Sequence, residues 1–114
     1  MNSDSLVLEV FEVEEAARFL SALSIGLLAS VRSGVMSLNE AEQLLFTPRT
    51  SRVLGDKGIL EISQLVMDCC ELEDVLSLVP DRFDENIQIM IDKYLDFLRH
   101  SKSSETDQGF MVLR

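Results

Sequence analysis

The sequence predicts a mainly α fold: a compact helical bundle of about four to six helices, with a minor β-ribbon formed by the two termini. Three observations predict it. Apolar residues recur at helical spacing over Glu14–Arg32, Ile59–Cys70 and Asp81–His100. Helix start signals stand at Ser37 and Pro48. Two short stretches at the ends, Leu6–Val13 and Gly109–Arg114, instead favour extended chain, being rich in Val, Leu and Phe. With 114 residues and 46% apolar content, the chain has room for a single domain with one core.

Leu-Val-Leu-Glu-Val-Phe-Glu-Val, residues 6–13, reads as a strand or an extended lead-in. The segment Gly109–Arg114 has the same character, and pairing of the two over the helical core is the simplest use of both. Glu14 to Arg32 is the strongest helix. Glu14 and Glu15 suit its positive end, Arg32 its negative end, and Gly34 its stop. Ala16, Phe19, Leu20, Leu23, Leu27 and Val31 make the inward stripe, widened by Ala17, Ile25 and Leu28, so this helix is expected at the centre. Gly26 is expected to admit a close neighbour.

Ser37-Leu-Asn-Glu40 is a capping box opening a short helix with Leu38, Ala41, Leu44 and Leu45 inward. Thr47-Pro48 ends it, and Pro48 starts another turn that closes at Gly55. The helix Ile59–Cys70 buries Ile59, Ile62, Leu65, Val66 and Cys69. Leu72–Val79 reads as a short helix or a loop. Asp81 is the expected cap of the last helix, whose inner face is Phe83, Ile87, Met90, Ile91, Tyr94, Phe97 and Leu98. Ser101–Gln108 is polar and expected to be mobile.

The chemistry-bearing residues are few. The single histidine, His100, sits beside Arg99 and Lys102 at a helix end, where it serves the dipole better than catalysis. Cys69 and Cys70 are adjacent and flanked by Asp68 and Glu71. A bridge between neighbours would be strained, and the flanking acids disfavour a thiolate. They read as reduced thiols, which points to the cytoplasm, as does the absence of a basic leader segment. Gly55-Asp-Lys-Gly58 lacks the spacing of a phosphate loop, and no zinc spacing exists. The sequence therefore assigns no catalytic, cofactor or metal residues, and the expected protein is not an enzyme.

Charge is the strongest functional signal. The formal net charge is −10, from 20 acids against 10 bases. That argues against nucleic acid and anionic membranes as ligands and for a basic protein partner. Between Glu61 and Asp96 ten acids face two bases, Arg82 and Lys93. The candidate partner-binding residues are Glu71, Glu73, Asp74, Asp81, Asp84, Glu85, Asp92 and Asp96; the competing reading is a solvated surface. A binding surface of this kind also needs apolar anchors. Arg49, Arg52 and Lys57 read as a surface turn neutralising nearby acids.

The segments Ser37-Leu-Asn-Glu-Ala-Glu-Gln-Leu-Leu-Phe-Thr-Pro48 and Glu71-Leu-Glu-Asp-Val-Leu-Ser-Leu-Val-Pro80, following an apolar helix, resemble a family of small uncharacterised bacterial helical proteins over about Ala16–Leu98. Size, acidity and lack of catalytic motifs are also similar to those of toxin-neutralising immunity proteins of the contact-dependent growth inhibition type. That resemblance implies a cytoplasmic inhibitor that binds a toxin domain, such as a basic nuclease, and covers its active site. It carries over no individual residue. The alternative is a helical adaptor that self-associates or docks a host protein through apolar surface.

Overall fold

The computed structural model describes residues 4–102 and 111–114. Most of the polar stretch 101–108, together with Gly109 and Phe110, lies outside the described residues. Among the described residues the order is β1 (Leu8–Val10), α1 (Val13–Arg32), α2 (Leu38–Leu44), α3 (Pro48–Asp56), α4 (Leu60–Cys70), α5 (Leu72–Leu78), a 3-10 turn (Pro80–Arg82), α6 (Phe83–His100) and β2 (Met111–Leu113). The termini do form a two-stranded antiparallel ribbon, with Leu8 opposite Leu113, Glu9 opposite Val112 and Val10 opposite Met111. The strand at the start is shorter than the Leu6–Val13 expected from composition. At Glu12 the chain turns into α1 with φ 67°, a conformation that costs a side chain-bearing residue strain.

The long helices α1 and α6 lie antiparallel. Near the start of α1, Arg18 Nη1 donates to the carbonyls of Leu98 (2.9 Å) and Ser101 (3.1 Å) and to Ser101 Oγ (2.6 Å). It thereby satisfies carbonyls that the end of α6 leaves orphaned. Near the end of α1, Arg32 donates to the Gln88 side chain on α6. Between these ties α1 buries Ser21, Ser24, Leu27, Leu28 and Val31, with Ala17 buried just before them. This corrects the expected stripe: Leu23 is exposed, and two serines stand in the core. Their small side chains let α6 approach and seat Tyr94, which is fully buried. Ser21 donates to the Ala17 carbonyl at 2.9 Å. Burial holds the Tyr94 hydroxyl in its neutral form, its pKa raised well above the usual tyrosine range, and the Ser24 hydroxyl beside the core finds no hydrogen-bond partner among the described residues.

The expected inner face of α6 is borne out: Ile87, Met90, Ile91 and Tyr94 are buried, with Phe83, Phe97 and Leu98 partly so. The α3–α4 hairpin is stitched by serines. Ser51 Oγ donates to the Ser63 carbonyl (2.8 Å), and Ser63 Oγ donates to the Ser51 carbonyl (2.6 Å). Ile62, Val66 and Cys69 of α4 face the core with Leu38, Ala41, Leu45 and Phe46 of the α2 region. Leu44, expected inward, is 61% exposed, because α2 is short and the chain leaves it through Leu45 and Phe46.

Helix ends follow local chemistry. Ser37 Oγ accepts from the Glu40 N–H at 3.1 Å and Thr47 Oγ1 from the Thr50 N–H at 3.0 Å, with Pro48 in the first turn of α3. The helix α1 closes at Gly34 (φ 78°): Gly34 N–H donates to the Val31 carbonyl and Val35 N–H to the Ser30 carbonyl. The helix α3 closes in the same way at Gly58 (φ 82°), not at Gly55, which lies inside it. Asp81 does not cap α6; it sits in the 3-10 turn, and Arg82 precedes the first helical residue.

Gly26 is likewise not a point of close approach: a Cβ added there meets nothing within 4 Å. Gly26→Ala should therefore stabilise the fold by about 0.5–1 kcal/mol, the helix-interior difference between the two residues. Gly34→Ala, placed at positive φ, should lower stability. Thermal unfolding of the two variants reads both signs; a destabilised Gly26→Ala would mean that α1 packs a neighbour at that face.

Candidate partner-binding surface

The eight sequence-chosen acids are all exposed, and the fold divides them. Glu71 joins α4 to α5, and Glu73 and Asp74 occupy the first turn of α5. Asp81 is in the 3-10 turn, and Asp84 and Glu85 begin α6. These six gather at one elbow of the chain. Asp92 and Asp96 lie farther along α6, Asp96 roughly 18 Å from Asp84 at the helical rise. Asp92 accepts from Gln88 Nε2 at 2.9 Å, and Asp96 pairs with Arg99 at 2.7 Å.

Among the described residues, Glu71, Glu73, Asp74, Asp81 and Asp84 form no ion pair. Glu85 has only a long contact to Arg82, at 3.9 Å with both side chains mostly exposed. The elbow is thus a concentration of uncompensated negative charge. A further acid, missed in the sequence, joins from α2: the Glu42 carboxyl is held above the ordinary glutamate range. Partial burial is the main cause, followed by the neighbouring Glu73 charge and a hydrogen bond between the two carboxyls. No local spacing links positions 42 and 73; only the folded chain brings the two side chains together.

Exposed apolar residues accompany the acids. The helix α5 has seven residues and buries only Leu72. Leu76, Leu78 and Val79 remain exposed, and on α6 so does Ile89. A hollow of about 230 Å³ runs between α5 and α6. Leu72, Val75, Ile89 and Met90 give it apolar walls, with Asp68 and Glu71 on one side and Lys93 and Asn86 on the other. The run Val75-Leu-Ser-Leu-Val79 was the available signal: a helix this short cannot bury apolar residues pointing all round it.

The residues with nucleophilic or acid–base potential are placed elsewhere. Burial pushes the Cys69 thiol up to about 12, and Cys70 is raised by burial and by the charges of Glu42 and Glu71. Cys70 Sγ donates to the Phe46 carbonyl at 3.2 Å. His100 Nδ1 is 2.7 Å from the Asp96 carbonyl, so that nitrogen carries the proton and donates it to the backbone. The same ring lines a shallow hollow with Glu61, Leu65, Lys93, Asp96 and Phe97. Among the described residues no group of three or more His, Cys, Asp or Glu side chains is arranged to hold a metal ion. Arg49, Arg52 and Lys57 are exposed on and after α3 and make no ion pair among the described residues.

A family model described as a protein of unknown function (DUF3969) matches residues 11–112. The chain belongs to the DUF3969 family. The match takes in every helix of this DUF3969 protein, including the whole acidic elbow, and leaves β1 outside. Comparison with curated proteins and with solved structures gives no match. Among the described residues no helix is long and apolar enough to cross a membrane.

The Glu42–Glu73 contact gives a pH-dependent prediction. A carboxyl whose folded pKa lies above its unfolded value adds stability below the unfolded pKa and loses it as pH rises through the folded one. At neutral pH the two charges repel, so Glu42→Gln should raise the melting temperature at pH 7 and raise it less at pH 4. An equal shift at both pH values would show that the two carboxylates do not interact.

Proposed function

We propose that this protein is a non-catalytic, cytoplasmic protein-binding inhibitor: an immunity protein that neutralises a basic toxin domain, such as a nuclease, by covering its active site. One observation carries the reading. The α5–α6 elbow combines exposed, unpaired carboxylates with exposed apolar residues and a hollow between the two helices. Apolar anchors inside a charged rim are the general anatomy of a protein interface. Carboxylates without internal cations are available to a partner's lysines and arginines, and a nuclease cleft built for phosphate presents such groups. The free, protonated thiols of Cys69 and Cys70 suit a reducing compartment.

The charge supplies rate and selectivity, and the anchors supply residence time. Leu76, Leu78 and Val79 are therefore assigned the anchoring contacts, with Glu71, Glu73, Asp74, Asp81, Asp84 and Glu85 as the steering rim. Asp92 and Asp96, spaced along α6 and engaged with Gln88 and Arg99, stand at the margin.

The test begins with co-purification of the chain with the product of the neighbouring gene. With that partner in hand, reversal of Glu71, Glu73, Asp74 and Asp81 to lysine should slow association at low salt by tenfold or more and flatten its salt dependence. Reversal of Glu9, Glu12 and Glu105 should leave the rate within a factor of two or so. An unchanged rate in the folded quadruple variant would reduce the elbow to a solvated surface.

A further inference from the structure

The terminal ribbon is a second, chemically different surface. Leu6, Leu8, Phe11, Met111, Val112 and Leu113 are all exposed large apolar residues. The charges of β1, β2 and their flanks from Leu6 to Phe11 and Met111 to Arg114 are Glu9 and Arg114, which pair with each other at 3.2 Å. In a chain of net charge −10, this is a locally neutral platform. It suits neither a strongly basic partner nor an acidic one. Two copies can meet there without bringing like charges together.

The register shows how. Val7 and Arg114 exchange both backbone hydrogen bonds, at 2.7 and 2.8 Å. With Glu9 opposite Val112, the alternation of an antiparallel ladder makes that the next bonded pair. The N–H and C=O groups of Met111 and Leu113 therefore point away from β1, along an open edge. That edge is self-complementary. Two β2 strands placed antiparallel about a two-fold axis at Val112 set Met111 of each copy opposite Leu113 of the other. Both pairs then exchange backbone hydrogen bonds, and the two Val112 side chains meet on the axis.

We propose that the protein forms a two-fold symmetric homodimer by this β2–β2 pairing, converting two isolated ribbons into one four-stranded antiparallel sheet. A two-stranded ribbon of three-residue strands is marginal alone, and a sheet of four strands is above the size at which packing sustains it. The symmetric contact is closed, so it yields dimers and no filaments. In the dimer Leu8, Val10, Met111 and Leu113, which alternate onto one face of each ribbon, join into a continuous apolar surface across the axis. That surface lies over the groove that Val10 and Met111 share with Phe19, Ala22 and Leu98. The inference is independent of the acidic elbow, whose residues it does not use.

Sedimentation velocity on the full chain, from low to high micromolar concentration, should show a species of twice the 12.8 kDa chain mass. Met111→Pro removes an N–H that faces only the open edge, leaving the Val112 and Arg114 ladder bonds in place; it should weaken dimerisation by more than tenfold with the helical signal unchanged. Val112→Cys places two thiols across a non-hydrogen-bonded pair, whose Cα separation of about 4.5 Å suits a disulfide. Mild oxidation should then give covalent dimers well beyond the wild-type level. A wild-type chain that stays monomeric across the range overturns the proposal. So does a dimer that Met111→Pro leaves intact and that Val112→Cys fails to cross-link.

Discussion

The antiparallel contact of α1 with α6 is the constraint on which the rest of the structure depends. Two arginines at opposite ends of α1 fix the register of the pair: Arg18 on the carbonyls at the end of α6, and Arg32 on Gln88 near its beginning. Between them Ser21 and Ser24 keep the interface thin enough for Tyr94 to lie buried against α1 and reach Cys69 of α4, its hydroxyl 3.9 Å from the sulfur. Serine hydroxyls in a core are tolerated where they find local acceptors, as Ser21 does on Ala17. Because this pair fixes where α6 begins, it also fixes the elbow from which α5 projects.

The same arrangement explains why exposed acids and exposed apolar residues collect at one end. The helix α5 and the 3-10 turn together span Leu72–Arg82, and Leu72 is the one buried residue there. A segment that contributes so little to the core is released from packing requirements, so apolar Leu76, Leu78 and Val79 and a dense set of acids can coexist on it. Beside them the Glu42 carboxyl is raised, first by its partial burial and second by the Glu73 charge, so repulsion between these two acids adds a local cost. A basic partner would relieve that repulsion on binding, which ties the energetics of the free chain to the proposed role.

Much of this was legible in the residues. Local rules placed the helix starts at Ser37 and Thr47-Pro48, and composition alone paired the two ends of the chain. The helix faces of α4 and α6 followed from the 3.6-residue period. The rest depends on tertiary packing. Ser21 and Ser24 read as polar interruptions of an apolar stripe, and only the neighbouring Tyr94 makes them the interface. Gly26 looked like a contact point because it is glycine, yet it faces open space, while Gly34 and Gly58 carry the positive φ angles. Asp81 has the residue type of a cap, but Pro80 draws the chain into a 3-10 turn first. Of the candidate site, the acids were visible as a charge run; the separation of Asp92 and Asp96 from the rest, the addition of Glu42 and the apolar anchors required the folded arrangement.

The most direct test of the account is hydrogen–deuterium exchange of the chain, free and saturated with its captured partner. Slowed exchange on binding should concentrate in Leu72–Arg82 and the first turns of α6, segments whose thin burial leaves their amides poorly protected in the free protein. Protection confined to α3 or to the terminal strands, with none in α5, would contradict it.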